Sequence, residues 1–135
     1  MKRIFLPIIS LLLFSALNAG ELTGKVVKVV DGDTCTILTS DKQQIKIRLY
    51  GIDAPENGQA FSKKSKKYLS SEIFGKQVKV IPITQDKYRR TVGKVYESGR
   101  YINLLTIQNG YAWHFKKYSK DNDLNLAEKF AQSIK

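Results

Sequence analysis

The pattern of apolar residues separates a short leader from a longer segment in which apolar and polar positions mostly alternate. The leader has two basic residues, an apolar run over 4–17, and small residues at 18–20. This order is typical of a signal peptide, and the apolar run is too short to serve as a lasting membrane anchor. We therefore expect residues 1–19 to be a signal peptide that is removed on export, with no stable membrane insertion afterwards. The protein is then predicted to be periplasmic or extracellular.

Three strand-like stretches follow the leader, each either rich in β-branched residues or alternating between apolar and polar ones. They cover residues 23–30, 34–39 and 44–50. In the third stretch Ile47 and Leu49 fall on one face, because side chains alternate between the two faces of a strand. Arg48 therefore lies on the opposite, wetter face, where it is available to a ligand.

The middle of the chain changes from alternation to helical spacing. Over 61–74 the apolar residues recur at helical intervals, and Gly75 is suited to end a helix. Its solvated face is expected to carry a lysine cluster, with phosphate contacts as an alternative role; the cluster consists of Lys63, Lys64, Lys66 and Lys67. Two more strands are predicted at 77–83 and 92–96, joined by a charged loop.

Two further helices are predicted in the last third of the chain. The first covers 104–108, with Asn103 as its N-cap. The second begins at a cap formed by Asn122 or Asp123. It carries an apolar stripe expected to face the core, formed by Leu126, Ala127, Phe130, Ala131 and Ile134.

Five short strands with one helix inserted between the third and the fourth are typical of an OB-fold barrel. Small SH3-like barrels share much of this pattern, so the element order alone leaves both open. In either case the fold class is α+β, with an all-β core and three helices after a signal peptide. Residues 20–135 contain no repeat or linker, and we expect them to form one domain.

Charge adds information about partners. The chain has 23 Lys and Arg against 12 Asp and Glu, a net charge of +11, which favours a polyanionic partner. Nucleic acid, anionic lipid and cell-wall polymers all satisfy that condition. The single cysteine, Cys35, allows no internal disulfide and is expected to be a buried apolar residue. His114, between Trp113 and Phe115, is expected to be packed rather than catalytic, with its two neighbours as core anchors.

The few acidic residues are concentrated in two loops. Asp31 and Asp33 flank a glycine in one turn, and Asp53 and Glu56 flank Pro55 in the next loop. Carboxylates from neighbouring loops suit Ca²⁺, which takes six to eight oxygen ligands in irregular geometry. The alternative is structural, because Asp-Gly-Asp is also common in ordinary β-turns.

Two arginines favour a phosphodiesterase site over a purely structural role for these loops. Arg48 lies just before the Asp53 loop, and Arg90 lies in the later charged loop. Guanidinium groups stabilise the negative charge that develops on phosphate oxygens during phosphoryl transfer. A metal would orient phosphate and water, and Glu56 would accept a proton from the attacking water.

Several ordered motifs give the chain a resemblance to a known family. They are Val30-Asp31-Gly32-Asp33-Thr34, Ile47-Arg48-Leu49, Ile52-Asp53-Ala54-Pro55-Glu56, Asp86-Lys87-Tyr88-Arg89-Arg90-Thr91, Ile102-Asn103-Leu104-Leu105 and Gly110-Tyr111-Ala112-Trp113. In order and spacing they resemble the thermonuclease (micrococcal or staphylococcal nuclease) family over essentially the whole chain after the leader. Arg89 departs from the family, which often has glycine there.

The resemblance implies an OB-fold, calcium-dependent endonuclease that cuts DNA and RNA and leaves 3′-phosphate ends. It implies calcium ligands at Asp33, Asp53 and the carbonyl of Ala54, and a supporting role for Asp31. It implies that Glu56 is the general base and that Arg48 and Arg90 bind phosphate. The nucleotide pocket would be lined by Tyr88, Lys87 and Tyr118.

Two other classes of function remain as alternatives to a monomeric nuclease. One is an OB-fold protein that binds nucleic acid without cutting it, which predicts losses among the metal and arginine positions. The other is a secreted OB-fold protein that binds glycans, which leaves the carboxylates and arginines without a role.

Overall fold

A computed structural model of the chain describes residues 20–117 and 119–134. The predicted signal peptide and Tyr118 lie outside the described residues. In chain order the elements are β1 (Leu22–Asp31), β2 (Thr34–Leu38), β3 (Gln44–Leu49), β4 (Ile52–Asp53), α1 (Ser62–Ile73), β5 (Gln77–Gln85), β6 (Thr91–Glu97), β7 (Arg100–Tyr101), α2 (Ile102–Gln108), β8 (Trp113–His114) and α3 (Asn122–Ser133).

The five long strands close into a barrel. Strand β1 pairs antiparallel with β2 and β5, β2 pairs with β3, and β5 pairs with β6. Parallel pairing of β3 with β6 closes the ring. The register shifts between Val26 and Lys28 and between Pro82 and Thr84, and such bulges increase the bending that closure requires. With α1 between the third and fourth long strands, the predicted OB-fold barrel with three helices is confirmed for the described residues.

Burial follows the alternation that the sequence predicts. On β3, Ile47 and Leu49 are fully buried, whereas Arg48 is only partly buried on the other face. Helix α1 covers the barrel through Leu69 and Ile73 and is followed by Gly75 in the left-handed conformation that glycine favours. The predicted burial of Cys35 and His114 is also confirmed.

Both predicted helix caps are wrong. Helix α2 begins at Ile102, and the buried side chain of Asn103 hydrogen-bonds to the backbone of Tyr50, Gly93 and Val95 instead of capping the helix. Helix α3 is capped by Asp121, whose carboxylate accepts from the backbone N–H groups of Asp123 and Leu124. An Asp one residue earlier reaches the free N–H groups of the first turn, as a cap must.

Several aromatic and aliphatic residues predicted for the core are exposed. Trp113 is 55% exposed, because β8 is a two-residue strand whose other side chain, His114, points inward. Leu126 and Phe130 on α3 and Ile134 just after it are exposed; the predicted burial of Ala127 is confirmed, and Leu124 and Glu128 are buried beside it. Over the described range, no helix is long and apolar enough to cross a membrane.

Candidate active site

Arg48 connects the two acidic loops. One terminal nitrogen of its guanidinium lies 3.3 Å from Oδ2 of Asp33 and 3.9 Å from Oδ1 of Asp53. The other donates to the carbonyl of Leu49 at 2.8 Å, which fixes the orientation of the planar group. The barrel thus brings together one arginine and two carboxylates from positions 33, 48 and 53, as the sequence predicted.

The turn that carries Asp33 is held by close packing against α1. The backbone N–H of Asp33 donates to the carboxylate of Asp31, an Asx-type bond that shapes the turn. A Cβ atom on Gly32 would lie 1.8 Å from Oγ of Ser65 and 2.9 Å from Cβ of Ala54. Only glycine fits there, so the acidic turn, the helix and the second acidic loop have a fixed separation.

Asp33 is buried, with 6% of its surface exposed. Its oxygens accept hydrogen bonds from the Thr34 hydroxyl at 2.9 Å and the Ala54 backbone N–H at 2.9 Å. Burial raises the pKa of Asp33 to about 7, although the Arg48 charge opposes the rise. The negative charge of this carboxylate is therefore only partly compensated by protein groups.

Arg48 and Arg90 face one cleft. The cleft has a volume of about 560 Å³ and lies between β3, β6 and the loop that joins β5 to β6. Its charged and aromatic lining includes both arginines, Tyr88 and Lys87. Tyr88 is 66% exposed, and its ring lies between the Lys87 ammonium, at 5.2 Å, and the Arg90 guanidinium, at 5.3 Å.

Asp86 determines which of the two adjacent arginines enters the cleft. Its carboxylate accepts from the backbone N–H groups of Tyr88 and Arg90 and pairs with Nε of Arg90 at 2.7 Å. Arg89 is exposed at a positive φ of 62° in this tight turn and does not line the cleft. The left-handed backbone there explains why a glycine would suit this position.

Glu56 belongs to an adjoining groove. That groove, about 420 Å³ in volume, is lined by Asp53, Ala54, Glu56 and Trp113 among others. The Glu56 side chain is exposed, and its backbone N–H donates to the Gln59 side chain at 2.7 Å. Since Asp53 contacts Arg48 and also lines this groove, the two depressions meet at Asp53. Glu56 itself makes no ion pair with another described residue.

The donor set fits a hard cation such as Ca²⁺. In the described part of the chain no three His, Cys, Asp or Glu side chains cluster closely enough to hold a metal by themselves. The carboxylates of Asp33 and Asp53, which share one guanidinium nitrogen, and the backbone carbonyl of Ala54 offer oxygen ligands. Water molecules can complete the coordination shell. Because protein groups compensate the negative charge of Asp33 only in part, this charge is in keeping with a cation at this position.

Sequence reasoning missed Asn103. Its side-chain oxygen accepts from the backbone N–H of Val95 at 2.9 Å. Its amide donates to the carbonyls of Tyr50, at 2.9 Å, and Gly93, at 3.2 Å. These bonds join the end of β3 to β6, so they hold the two walls that carry Arg48 and Arg90. The Ile102-Asn103-Leu104-Leu105 motif points to this residue in the sequence, but an N-cap role is enough to account for an asparagine at that position.

The chain is similar in sequence to several known proteins. The family described as "Staphylococcal nuclease homologue" matches residues 46–135. A protein named uncharacterized endonuclease from Haemophilus influenzae is 44% identical over 126 residues, which is 91% of this chain and 71% of the relative. Micrococcal nuclease from Shigella flexneri is 37% identical over 117 residues, 80% of this chain and 67% of the relative.

A third relative extends the similarity along nearly the full length. An uncharacterized endonuclease from Escherichia coli O157:H7 is 32% identical over 134 residues, 98% of this chain and 87% of the relative. The family match begins in β3 and includes Arg48, the second acidic loop and Arg90. The chain belongs to the staphylococcal nuclease family, and it is a nuclease of the hydrolase class.

Proposed function

We propose that this nuclease is an exported, calcium-dependent endonuclease that hydrolyses both DNA and RNA and leaves 3′-phosphate ends. It acts as a monomer. The observation that carries the proposal is the position of Arg48, which touches Asp33 and Asp53 on one side and faces the cleft of Arg90 on the other. Cation ligands and phosphate-binding groups thereby meet around one guanidinium.

The arginines supply charge stabilisation. In the reaction, the oxygen of a water molecule bonds to phosphorus while the bond from phosphorus to the 5′ oxygen breaks, and the departing 5′ oxygen takes up a proton from solvent to become a hydroxyl. Negative charge grows on the non-bridging oxygens, and Arg48 and Arg90 donate to them from the wall of the cleft. Both side chains are already oriented, Arg48 by the Leu49 carbonyl and Arg90 by Asp86, so little reorganisation is needed.

Glu56 is the group proposed to take the proton from the attacking water. Its exposed carboxylate lines the groove next to Asp53, open to water and substrate. Asp33, Asp53 and the Ala54 carbonyl would hold Ca²⁺, which when bound supplies positive charge near the phosphate and the water. Tyr88 gives a base a ring on which to stack without reading its identity, and Lys87 adds a cation beside it. The proposal gives Tyr118 the same stacking role.

The main experiment is digestion of heat-denatured DNA and of RNA by the protein from which residues 1–19 have been removed. Cleavage is expected with Ca²⁺, is expected to stop with EGTA, and is expected to return when Ca²⁺ is restored. End-labelling of the products is expected to reveal 3′-phosphates. Cleavage that persists in EGTA would overturn the assigned metal dependence.

Substitutions test the assigned roles. Glu56→Gln is expected to lower kcat by about a hundredfold or more, and Arg90→Ala by a similar factor. Arg89→Ala is the matched control, because it removes the same charge from the adjacent, exposed position and is expected to leave kcat within a few-fold. Equal losses in the two arginine variants would contradict the assignment of Arg90. If the wild-type protein and every variant bind DNA and none of them cuts it, the result supports the non-catalytic alternative.

A further inference from the structure

The outer face of α1 carries a row of cations that has no part in the cleavage site. The row consists of Lys63, Lys66 and Lys67, which lie at helical spacing. Together with Ser70, Ser71 and Phe74 they line a shallow groove of about 540 Å³. The opposite face of the helix, including Leu69 and Ile73, is buried against the barrel. The row is therefore a fixed feature of a well-anchored helix.

The groove has an excess of positive charge. None of the residues that line it is acidic, and none of its three lysines pairs with a carboxylate among the described residues. The one acidic residue of α1, Glu72, is already paired with Arg100 at 2.7 Å. Phe74, at the far end, leaves 55% of its surface exposed. Grooves that bind single-stranded nucleic acid combine cations, which contact the backbone, with exposed aromatic rings, on which bases stack.

We infer that this groove on α1 is a second contact for the phosphate backbone of the polynucleotide substrate, outside the site of cleavage. The inference rests on the proposed function. Helix α1 starts directly after the Glu56 loop, where the backbone N–H of Ser62 donates to the carbonyl of Gln59 at 3.2 Å. A strand that leaves the cleavage site on the Glu56 side and follows the helix would meet Lys63 before Lys66 and Lys67.

The dimensions suit several nucleotides. From Lys63 to Phe74 the helix rises by about 17 Å, at about 1.5 Å per residue. With strand phosphates about 3.4 Å apart along a stacked helix, this length spans roughly five phosphates. Long substrates gain this contact, and a dinucleotide bound in the cleft does not.

An anionic membrane is the competing partner for a basic helix face. Helices that lie on membranes insert an apolar face between the lipids. The apolar face of α1 is occupied by the barrel, which leaves one exposed ring, Phe74, beside the lysines. The observations therefore favour the polynucleotide.

The test compares two triple variants that lose the same charge. The groove variant is Lys63→Gln, Lys66→Gln and Lys67→Gln. The control variant removes three exposed, unpaired lysines elsewhere among the described residues, and it is Lys25→Gln, Lys28→Gln and Lys129→Gln. Binding of a long, fluorescently labelled single-stranded DNA is measured by polarisation in EGTA against salt concentration, so that the readout does not depend on cleavage.

Losing three phosphate contacts is expected to reduce the slope of log K against log salt by about 2 in the groove variant, at about 0.7 per contact. The control is expected to change the slope much less. With Ca²⁺, the groove variant is expected to raise KM for long DNA about tenfold or more and to leave kcat/KM for a dinucleotide unchanged.

Equal slopes in the two variants would overturn the inference. So would a groove variant that loses binding to anionic vesicles but keeps its affinity for DNA, because that result identifies a membrane surface. If the wild-type protein cuts neither long DNA nor the dinucleotide with Ca²⁺, the proposed function fails, and the binding slopes still decide the fate of the groove.

Discussion

At the scale of the residue, Gly32 controls the distance between the acidic turn and α1. Its missing side chain lets Ser65 and Ala54 approach, and an added Cβ would overlap the Ser65 hydroxyl at 1.8 Å. The hydroxyl cannot simply rotate away at no cost, since it donates to the carbonyl of Tyr111 at 2.7 Å. Gly32→Ala is therefore expected to lower the free energy of unfolding by about 1 to 3 kcal/mol, as overpacking does, measured by urea denaturation.

The same substitution is expected to raise the Ca²⁺ concentration needed for half-maximal activity, because Asp33 follows Gly32 directly. Gly58→Ala serves as a control for generic glycine effects, since no atom lies within 4 Å of a Cβ built there. Gly58 has a positive φ, so the control carries backbone strain without a steric overlap. A Gly32→Ala protein with unchanged stability and calcium response would contradict the packing argument.

The sequence predicted which candidate site residues lie near one another better than it predicted the residues that surround them. The residue types at positions 33, 48, 53 and 90 predict one site, and the structure brings Asp33, Arg48 and Asp53 together and places Arg48 and Arg90 in one cleft. Asn103 was misassigned as a cap, because its true partners, Val95, Tyr50 and Gly93, are distant in sequence. Local patterns carry no information about such partners.

At the scale of the element, Glu128 attaches α3 to the strand that supports Asp53. Its buried carboxylate accepts from the backbone N–H of His114 at 2.5 Å and pairs with Lys116 at 3.1 Å. His114 in turn pairs with Ile52 across the short β4–β8 ladder, next to Asp53. Glu128→Ala is expected to cost about 3 kcal/mol in unfolding free energy, because it leaves a buried N–H group without its acceptor.

Glu128→Gln is the matched variant, since it keeps an acceptor oxygen and the shape of the side chain. We expect it to cost about 1 kcal/mol, the difference between a charged and a neutral acceptor. Chemical denaturation of both variants measures the two losses. Equal destabilisation by Ala and Gln would indicate that the charge, rather than the hydrogen bond to His114, is what matters.

The elements themselves were predicted well where their pattern was long. All five barrel strands and α1 follow the predicted order, because alternation and helical spacing record which face is buried. The last helix was placed correctly, but its buried stripe was not. Of the predicted stripe Ala127 is buried, while Leu126, Phe130 and Ile134 are exposed, and Leu124 and Glu128 complete the buried face, which the hydrogen bond from the His114 backbone to Glu128 holds in place.

At the scale of the whole molecule, the thiol of Cys35 reports on opening of the barrel. It lies on β2, has no exposed surface, and pairs in register with Val29 and Ile47 on the neighbouring strands. Burial raises its pKa to about 12, so almost no thiolate exists in the folded protein at neutral pH. Alkylation is therefore expected to require opening of the barrel, and to be fast in urea and slow in its absence.

This protection links the proposed calcium site to the stability of the fold. A cation that binds only the folded state stabilises it by RT ln(1 + [L]/Kd), about 2.7 kcal/mol at a hundredfold excess over Kd. Where labelling follows the opening equilibrium, Ca²⁺ at that excess is expected to slow alkylation of Cys35 about a hundredfold. Asp53→Asn is expected to remove most of the effect while leaving Cys35 buried. Labelling rates that do not respond to Ca²⁺ in the wild-type protein would mean that the acidic loops bind no calcium in the folded barrel.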